Sequence, residues 1–230
     1  MNSYFQFKKF KINQDKCAQK VSEIACILGA ACPIPEDTNS ILDIGAGTGL
    51  LSLMLAQRTQ ARIDAIEIEE QTFYQLNENI ENSIFKNRIQ PILHDATKYT
   101  FEKKYDLIIC NPPFFTNSLK SKSISKNIAW HDETLTLTQL FTIAENTLKD
   151  TAQLHIVLPN NLIENQNLIS LHINYRQKIK HRKETPPKYE LIGLGKYPFE
   201  INIKSEMIIR EGSDYTFEIK NLFSEFYLYL

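Results

Sequence analysis

The sequence predicts a doubly wound α/β fold built on a mostly parallel sheet, and three observations carry that reading. Short apolar runs recur between residues 40 and 158, each of strand length and each bounded by turn residues. Stretches with apolar side chains at helical spacing lie between them. The chemically distinctive motifs fall directly after the apolar runs, which is where open parallel sheets bind their ligands.

Ser40–Ile44 (SILDI) reads as a buried strand that ends at glycines. Thr48–Arg58 is nearly all strong helix formers. Arg62–Ile68 (RIDAIEI) is a second strand, and Glu70–Ser83 a helix with Phe73, Leu76 and Ile80 on one side. Arg88–Leu93 is a third strand, and Pro91 within it calls for an edge position because proline donates no ladder hydrogen bond. Tyr105–Cys110 (YDLIIC) is a fourth, cut off by Asn111-Pro112-Pro113. Asp132–Lys149 reads as helix and Ala152–Leu158 as a fifth strand. In the tail, Tyr189–Gly195 and Ser205–Arg210 are candidate strands, the latter in an antiparallel hairpin at the sheet edge; Thr185-Pro186-Pro187 marks a loop. Residues 1–39 precede the sheet and are expected to cap a cofactor pocket. With no linker visible, residues 1–230 are expected to form one domain, 40–230 being its core.

The composition limits the function. In a chain of 230 residues, 43% hydrophobic, a large core can be buried. A formal net charge of -1 excludes a uniformly basic nucleic-acid coat, though not local basic patches. Cys17, Cys26, Cys32 and Cys110 form no CxxC pair, which points to reduced thiols and no metal site. The first residues lack the apolar core of a signal peptide, and no apolar stretch is long enough to span a membrane, so a cytoplasmic protein is expected.

Asp43-Ile44-Gly45-Ala46-Gly47-Thr48-Gly49 joins the first strand to its helix. Glycines let a ligand approach the backbone, and the following helix offers free N–H groups. Glu67 ends the second strand about 20 residues on, where a carboxylate binds ribose hydroxyls. A nicotinamide loop would need its third glycine at position 50, which is Leu50 here. The G-x-G-x-G spacing instead resembles the nucleoside loop of class I methyltransferases, against the plainer reading of a tight turn. Asp95, after the third strand, is placed to accept from the cofactor's adenine amino group, or else to cap a turn. Glu69 and Glu70 read as solvated charges at a helix start.

Asn111-Pro112-Pro113-Phe114 follows the fourth strand. An exocyclic amine conjugated to an aromatic ring is a poor nucleophile. Two acceptors aimed at its hydrogens, the Asn111 side-chain oxygen and the Pro112 carbonyl, would turn its lone pair toward a methyl donor and stabilise the charge that develops. The prolines fix the backbone in advance, and Phe114 offers a face for the base.

The glycine loop followed by NPPF resembles the amino-group N-methyltransferases acting on adenine, guanine or glutamine. More closely, the chain resembles the bacterial tRNA (adenine-N6) methyltransferases that modify the adenosine beside the anticodon of a valine tRNA. The matching stretches are 5–21, 27–30, 42–59, 63–69, 77–80, 106–115, 157–159 and 226–230. The resemblance implies a Rossmann-like class I methyltransferase fold, with a mostly parallel seven-stranded sheet, helices on both faces and an antiparallel edge strand. It implies S-adenosyl-L-methionine as cofactor, held by Lys20, Asp43, Gly45, Gly47, Gly49, Glu67, Asp95 and Asn111, with catalysis by Asn111, Pro112, Pro113 and Phe114. It also implies a tRNA substrate and a monomer that needs neither metal nor membrane. Ser22 and Glu23 stand where the family carries a polar pair such as Thr-Asp, and Phe115 where a tyrosine often sits.

RNA contacts are expected from local basic clusters: Lys8, Lys9 and Lys11, with Lys16 and Lys20; Arg176, Lys178, Lys180, Arg182 and Lys183, with Lys188; and Lys120, Lys122 and Lys126. Phe5, Phe7, Phe10 or Tyr175 would either stack on bases or fill the core, and Trp130-His131 would line the entrance or anchor a helix. The competing functions are a protein-glutamine, DNA or rRNA amino-group methyltransferase and an RNA-binding module that keeps the fold without catalysis.

Overall fold

A computed structural model describes residues 2–17, 20–112, 135–199 and 201–230. Its elements in order are β1 (Tyr4–Gln6), β2 (Lys11–Asn13), α1 (Glu23–Ala31), β3 (Ser40–Ile44), α2 (Leu50–Arg58), β4 (Arg62–Glu67), α3 (Glu70–Glu81), β5 (Ile89–Leu93) and β6 (Tyr105–Cys110). Then follow α4 (Leu137–Thr147), β7 (Leu148–Pro159), β8 (His172–Arg182), β9 (Tyr189–Gly195), β10 (Asn202–Ile203), β11 (Met207–Glu211), β12 (Asp214–Tyr215) and α5 (Phe217–Phe223).

The main sheet runs β12-β11-β8-β9-β7-β6-β3-β4-β5, with β10 beside β8. It is the mostly parallel sheet predicted for a class I methyltransferase fold, with ten strands where seven are expected: β10, β11 and β12 extend the row β5-β4-β3-β6-β7-β9-β8. β5 is the edge strand that Pro91 requires. The predicted antiparallel edge strand is β12, beside β11, and β9 is in addition antiparallel to both β7 and β8 inside the sheet. β11 forms the predicted antiparallel hairpin at the sheet edge with two-residue β12, and its other side pairs parallel with β8. The basic cluster from Arg176 onward is itself part of strand β8. The predicted helix 132–149 gives way to strand at Leu148, which is fully buried and pairs with Tyr105.

Alternate side chains of the central strands feed two cores. Ile41, Ile63, Leu107 and Ile109 meet residues of α1, α2, α3 and α5 on one face, while Leu42, Ile44, Ile108 and Cys110 meet α4 on the other. Arg88 donates to the carbonyls of Ala56, Thr59 and Ala61, and Arg58 to those of Gly29 and Cys32, which satisfies the open ends of α2 and α1. All four cysteines are free and buried. No helix among the described residues is long and apolar enough to cross a membrane.

The N-terminal segment is pinned by two side chains of α3 that the sequence does not single out. Asn79 accepts from Asn13 N (2.9 Å) and donates to Asn13 O and Thr48 O (2.9 Å each), treating residue 13 as a strand neighbour would while holding the glycine loop. One turn nearer the start of α3, Gln75 accepts from Lys16 N (3.0 Å) and Cys17 Sγ (3.2 Å) and donates to Asp15 Oδ1 (2.8 Å). The chain therefore climbs α3 toward the glycine loop. Of residues 1–39, the β1–β2 hairpin stays at the opposite end, where Phe10 packs on Phe85 and Phe7 bridges to Tyr227. Phe7, Phe10 and Tyr175 are buried and Phe5 packs on Phe7 and Tyr227, so these aromatics fill the core, and the base-stacking alternative is corrected.

Candidate active site

Four strand ends meet at one edge of the sheet. Ile44 pairs with Ile66 across β3 and β4, Glu67 with Leu93 across β4 and β5, and Asp43 with Ile109 across β3 and β6. Adjacent strands lie about 4.8 Å apart, so the glycine loop, Glu67, the turn carrying Asp95, and Asn111 line one short row.

Gly45 N and Ala46 N both donate to Ile66 O (3.0 Å), folding the loop over the end of β4. Gly45, Gly47 and Gly49 have φ of 68°, 57° and 84°, where other residues are strained. Their surroundings differ. A Cβ on Gly45 would meet nothing within 4 Å and one on Gly47 only the Gly45 carbonyl at 3.9 Å, whereas one on Gly49 would lie 2.8 Å from Leu76 Cδ1. The first two glycines face open space and the third is a packing requirement.

Asp43 is fully buried. Its Oδ2 accepts from Ser52 N (3.0 Å) and Ser52 Oγ (2.7 Å), tying the strand to the first turn of α2, while Oδ1 is buried with no partner among the described residues. Burial pushes this carboxyl up to about 7 against the pull of the Ser52 bonds, and the Glu67 charge adds to the rise. Glu67 accepts from Gly47 N (2.9 Å) through one oxygen and from Ile68 N and Glu69 N (3.0 Å each) through the other. Three backbone donors thus hold a carboxylate at the loop's centre. Glu69 caps α3 by accepting from Gln71 N and Thr72 N, more than a solvated charge would do, while Glu70 accepts from Tyr74 Oη.

Asp95 accepts from Thr97 N (2.9 Å) and Thr97 Oγ1 (2.7 Å), and Lys98 lies 3.0 Å from its other oxygen. The Thr97 hydroxyl, more than the Lys98 charge, holds this carboxyl below its ordinary range. These are the bonds of a capped turn, the plainer of the two sequence readings. Lys20 stands half-buried just past the Cys17 anchor. Ser22 caps α1 through Ala25 N (3.2 Å) and Glu23 pairs with Arg210 (2.9 Å), so this pair fastens a helix.

Asn111 and Pro112 leave the end of β6. The Asn111 Oδ1 atom is buried with no partner among the described residues. Pro113, Phe114, Phe115, Lys120, Lys122, Lys126, Trp130 and His131 lie outside the described residues. Among the described residues no group of three or more His, Cys, Asp or Glu could hold a metal ion.

The basic clusters separate by position. Lys8 donates to Ser224 O (2.6 Å) and Lys11 lies over the Tyr4 ring (5.1 Å); both belong to the β1–β2 hairpin with Lys9, at the end of α3 away from the glycine loop. The β8–β9 hairpin, in contrast, turns at the same edge as the glycine loop, because Pro159 at the end of β7 pairs with Tyr189 at the start of β9. It brings Lys178, Lys180, Arg182, Lys183 and Lys188 to that edge. Lys180 is paired with Glu206 (2.9 Å), and Arg176 is committed to Glu190 and Glu164 (2.7 Å each).

The family model of the methyltransferase small domain matches residues 30–184. A tRNA1(Val) (adenine(37)-N6)-methyltransferase of Parabacteroides distasonis is 38% identical over 234 residues, 99% of this chain and 98% of the relative. One of the same name from Dyadobacter fermentans is 49% identical over 160 residues, 69% of this chain and 66% of the relative. Among solved structures, an Agrobacterium tumefaciens protein described as a predicted O-methyltransferase aligns with a TM-score of 0.64 at 16% identity, covering 87% of this chain and 95% of that one, a likeness of fold.

Proposed function

We propose that this chain, which belongs to the methyltransferase small-domain family and to the family of its tRNA1(Val) (adenine(37)-N6)-methyltransferase relatives, methylates the N6 amino group of an adenine in a valine tRNA, beside the anticodon. The observation that carries the reading is the Asn111 oxygen, a buried acceptor without a donor, on the strand next to a glycine loop that faces open space.

The residues fit S-adenosyl-L-methionine, which supplies an electrophilic methyl group on a positively charged sulfur. Gly45 and Gly47 leave the room such a nucleoside needs, and Gly49 starts the helix whose N–H groups face it. The unpartnered Asp43 oxygen attracts a cation or an N–H donor, and Glu67 is presented for ribose hydroxyls. In this reading Asp95 and Lys20 complete the cofactor's contacts.

On the acceptor side, Asn111 Oδ1 and the Pro112 carbonyl take the two hydrogens of the adenine amine. This draws the amine out of conjugation and places acceptors where positive charge develops on nitrogen. Pro112 and Pro113 hold the pair rigid, and Phe114 supports the base by stacking. The amine proton leaves only after the new bond to nitrogen exists, so no base of shifted pKa is needed. Lys178, Arg182, Lys183 and Lys188 position the RNA backbone, with Lys180 at their side and Lys8, Lys9 and Lys11 more remote. The chain acts as a single domain and a monomer in the cytoplasm.

Labelled S-adenosylmethionine offered with bulk tRNA, DNA and protein tests this. The label is expected in tRNA, as N6-methyladenosine after nuclease digestion. Label in protein or DNA alone would overturn the assignment.

A further inference from the structure

β7 neighbours β6 on the side away from the glycine loop, and its exit is held with unusual care. Cys110 pairs with Ile156, so Asn111 is level with Val157. The strand continues to Pro159, and Asn160 follows, its N donating to Lys188 O (3.0 Å). Asn161 turns into the left-handed region at φ 64° and donates its N to Glu190 Oε1 (3.2 Å). Glu190 is fully buried and is neutralised by Arg176, whose Nε donates to Glu190 Oε2 (2.9 Å) and which reaches Glu164 as well. A buried ion pair is an expensive brace for a loop, and what it braces is Asn161, the residue that follows Asn160.

The Asn160 Oδ1 atom is buried and has no partner among the described residues, the same condition as Asn111 Oδ1 one strand away. Native structures rarely leave such an acceptor empty without a use for it. Asn160 sits three residues beyond the level of Asn111. At about 3.3 Å per residue along the strand, and about 4.8 Å across to the next, the two asparagines are offset by roughly 11 Å. That is the scale of a nucleoside measured from exocyclic nitrogen to sugar, with a hydrogen bond at each end.

Adenine's only strong donors are its two N6 hydrogens, and the reaction above assigns both to Asn111 and Pro112. The donors left on a nucleotide within an RNA chain are its ribose 2′-hydroxyls. We infer that Asn160 accepts a hydrogen bond from the 2′-hydroxyl of the target nucleotide, and so selects RNA over DNA at the active site. This deepens the N6-adenine reading and rests on it.

The test uses the full chain and two synthetic anticodon stem-loops of valine tRNA, with adenosine or 2′-deoxyadenosine at the target position. The quantity read is the ribo-to-deoxy ratio of kcat/KM. One neutral hydrogen bond predicts a wild-type ratio of roughly 2- to 12-fold. Asn160→Ala should bring the ratio to about one while S-adenosylmethionine binding, measured by calorimetry, stays as in wild type. Asn160→Asp keeps an oxygen acceptor and should keep the ratio. If Asn160→Ala fails to fold, the Asn160→Asp ratio decides: retained, it supports the assignment; at one, it overturns it. A wild-type ratio of one, or an Asn160→Ala ratio equal to wild type, refutes the role of Asn160 alone. A wild-type enzyme that binds cofactor yet methylates neither stem-loop would refute the underlying reaction.

Discussion

Replacing the three loop glycines by alanine one at a time should split them into two kinds. Each has positive φ, and forcing alanine into the left-handed region costs about 1–2 kcal/mol. For Gly45→Ala and Gly47→Ala that is nearly the whole cost, because the added methyl meets nothing within 4 Å in one case and a carbonyl at 3.9 Å in the other. In a chain of this size it lowers Tm by roughly 2–8 °C. Gly49→Ala adds an approach of 2.8 Å to Leu76 Cδ1, and Leu76 is fully buried, so its methyl has little room to retreat. Overpacking of this kind adds about 1–3 kcal/mol, for a total of about 2–5 kcal/mol. Ligand binding should show a different order. A saturating ligand at a hundred times its Kd stabilises by about 2.7 kcal/mol. Thermal melts with and without S-adenosylmethionine should show this gain in the wild type and lose it in Gly45→Ala and Gly47→Ala, whose methyls enter the ligand's space. The reasoning is refuted if Gly45→Ala keeps the full ligand-induced shift, or if Gly49→Ala is no less stable than Gly45→Ala.

Because burial raises the Asp43 carboxyl to about 7, the ligand-free native state holds a proton that the unfolded chain has already lost; between its ordinary value near 4 and about 7 this group's contribution to stability falls as pH rises, and the cationic cofactor should reverse the trend. Calorimetry should therefore find S-adenosylmethionine binding tighter at pH 8 than at pH 6, with proton release, and Asp43→Asn should flatten the profile. Asn79→Ala strips partners from both polar groups of Asn13 and from Thr48 O, and urea titration should show a loss of about 2–4 kcal/mol with weakened cofactor binding, since Thr48 lies in the loop. Arg176→Ala leaves the buried Glu190 unpaired and should cost about 3–5 kcal/mol of stability. Arg182→Ala and Lys183→Ala, at exposed positions, should leave stability nearly unchanged but lower the salt slope of RNA affinity by about 0.7–0.9 for each phosphate no longer neutralised.

What sequence made legible was local. The glycine loop, the carboxylate at the end of the next strand and the asparagine-proline turn are short patterns at fixed distances from strand ends, and the parallel register carries them to one edge. Pro91 marks its edge strand because a missing donor is a property of one residue. Long-range polar pairing is hidden: Gln75 and Asn79 meet residues about 60 positions away, and nothing in a helix sequence tells a buried amide from a solvated one. β8 is obscured by its own alternation, since Arg176, Lys178 and Lys180 flank the buried Tyr175, Gln177 and Ile179, and the charges mask a strand. The sequence extends the helix before β7 too far because Leu148 and Lys149 suit a helix well enough until pairing with Tyr105 overrides propensity.

Asn111→Ala offers the most direct measurement. The variant should bind S-adenosylmethionine with nearly wild-type affinity by calorimetry, while single-turnover methylation of tRNA falls by at least about 100-fold, the usual cost of removing one group aimed at transition-state charge. Methyl transfer to tRNA at the wild-type rate by a folded, cofactor-binding Asn111→Ala variant would contradict the account.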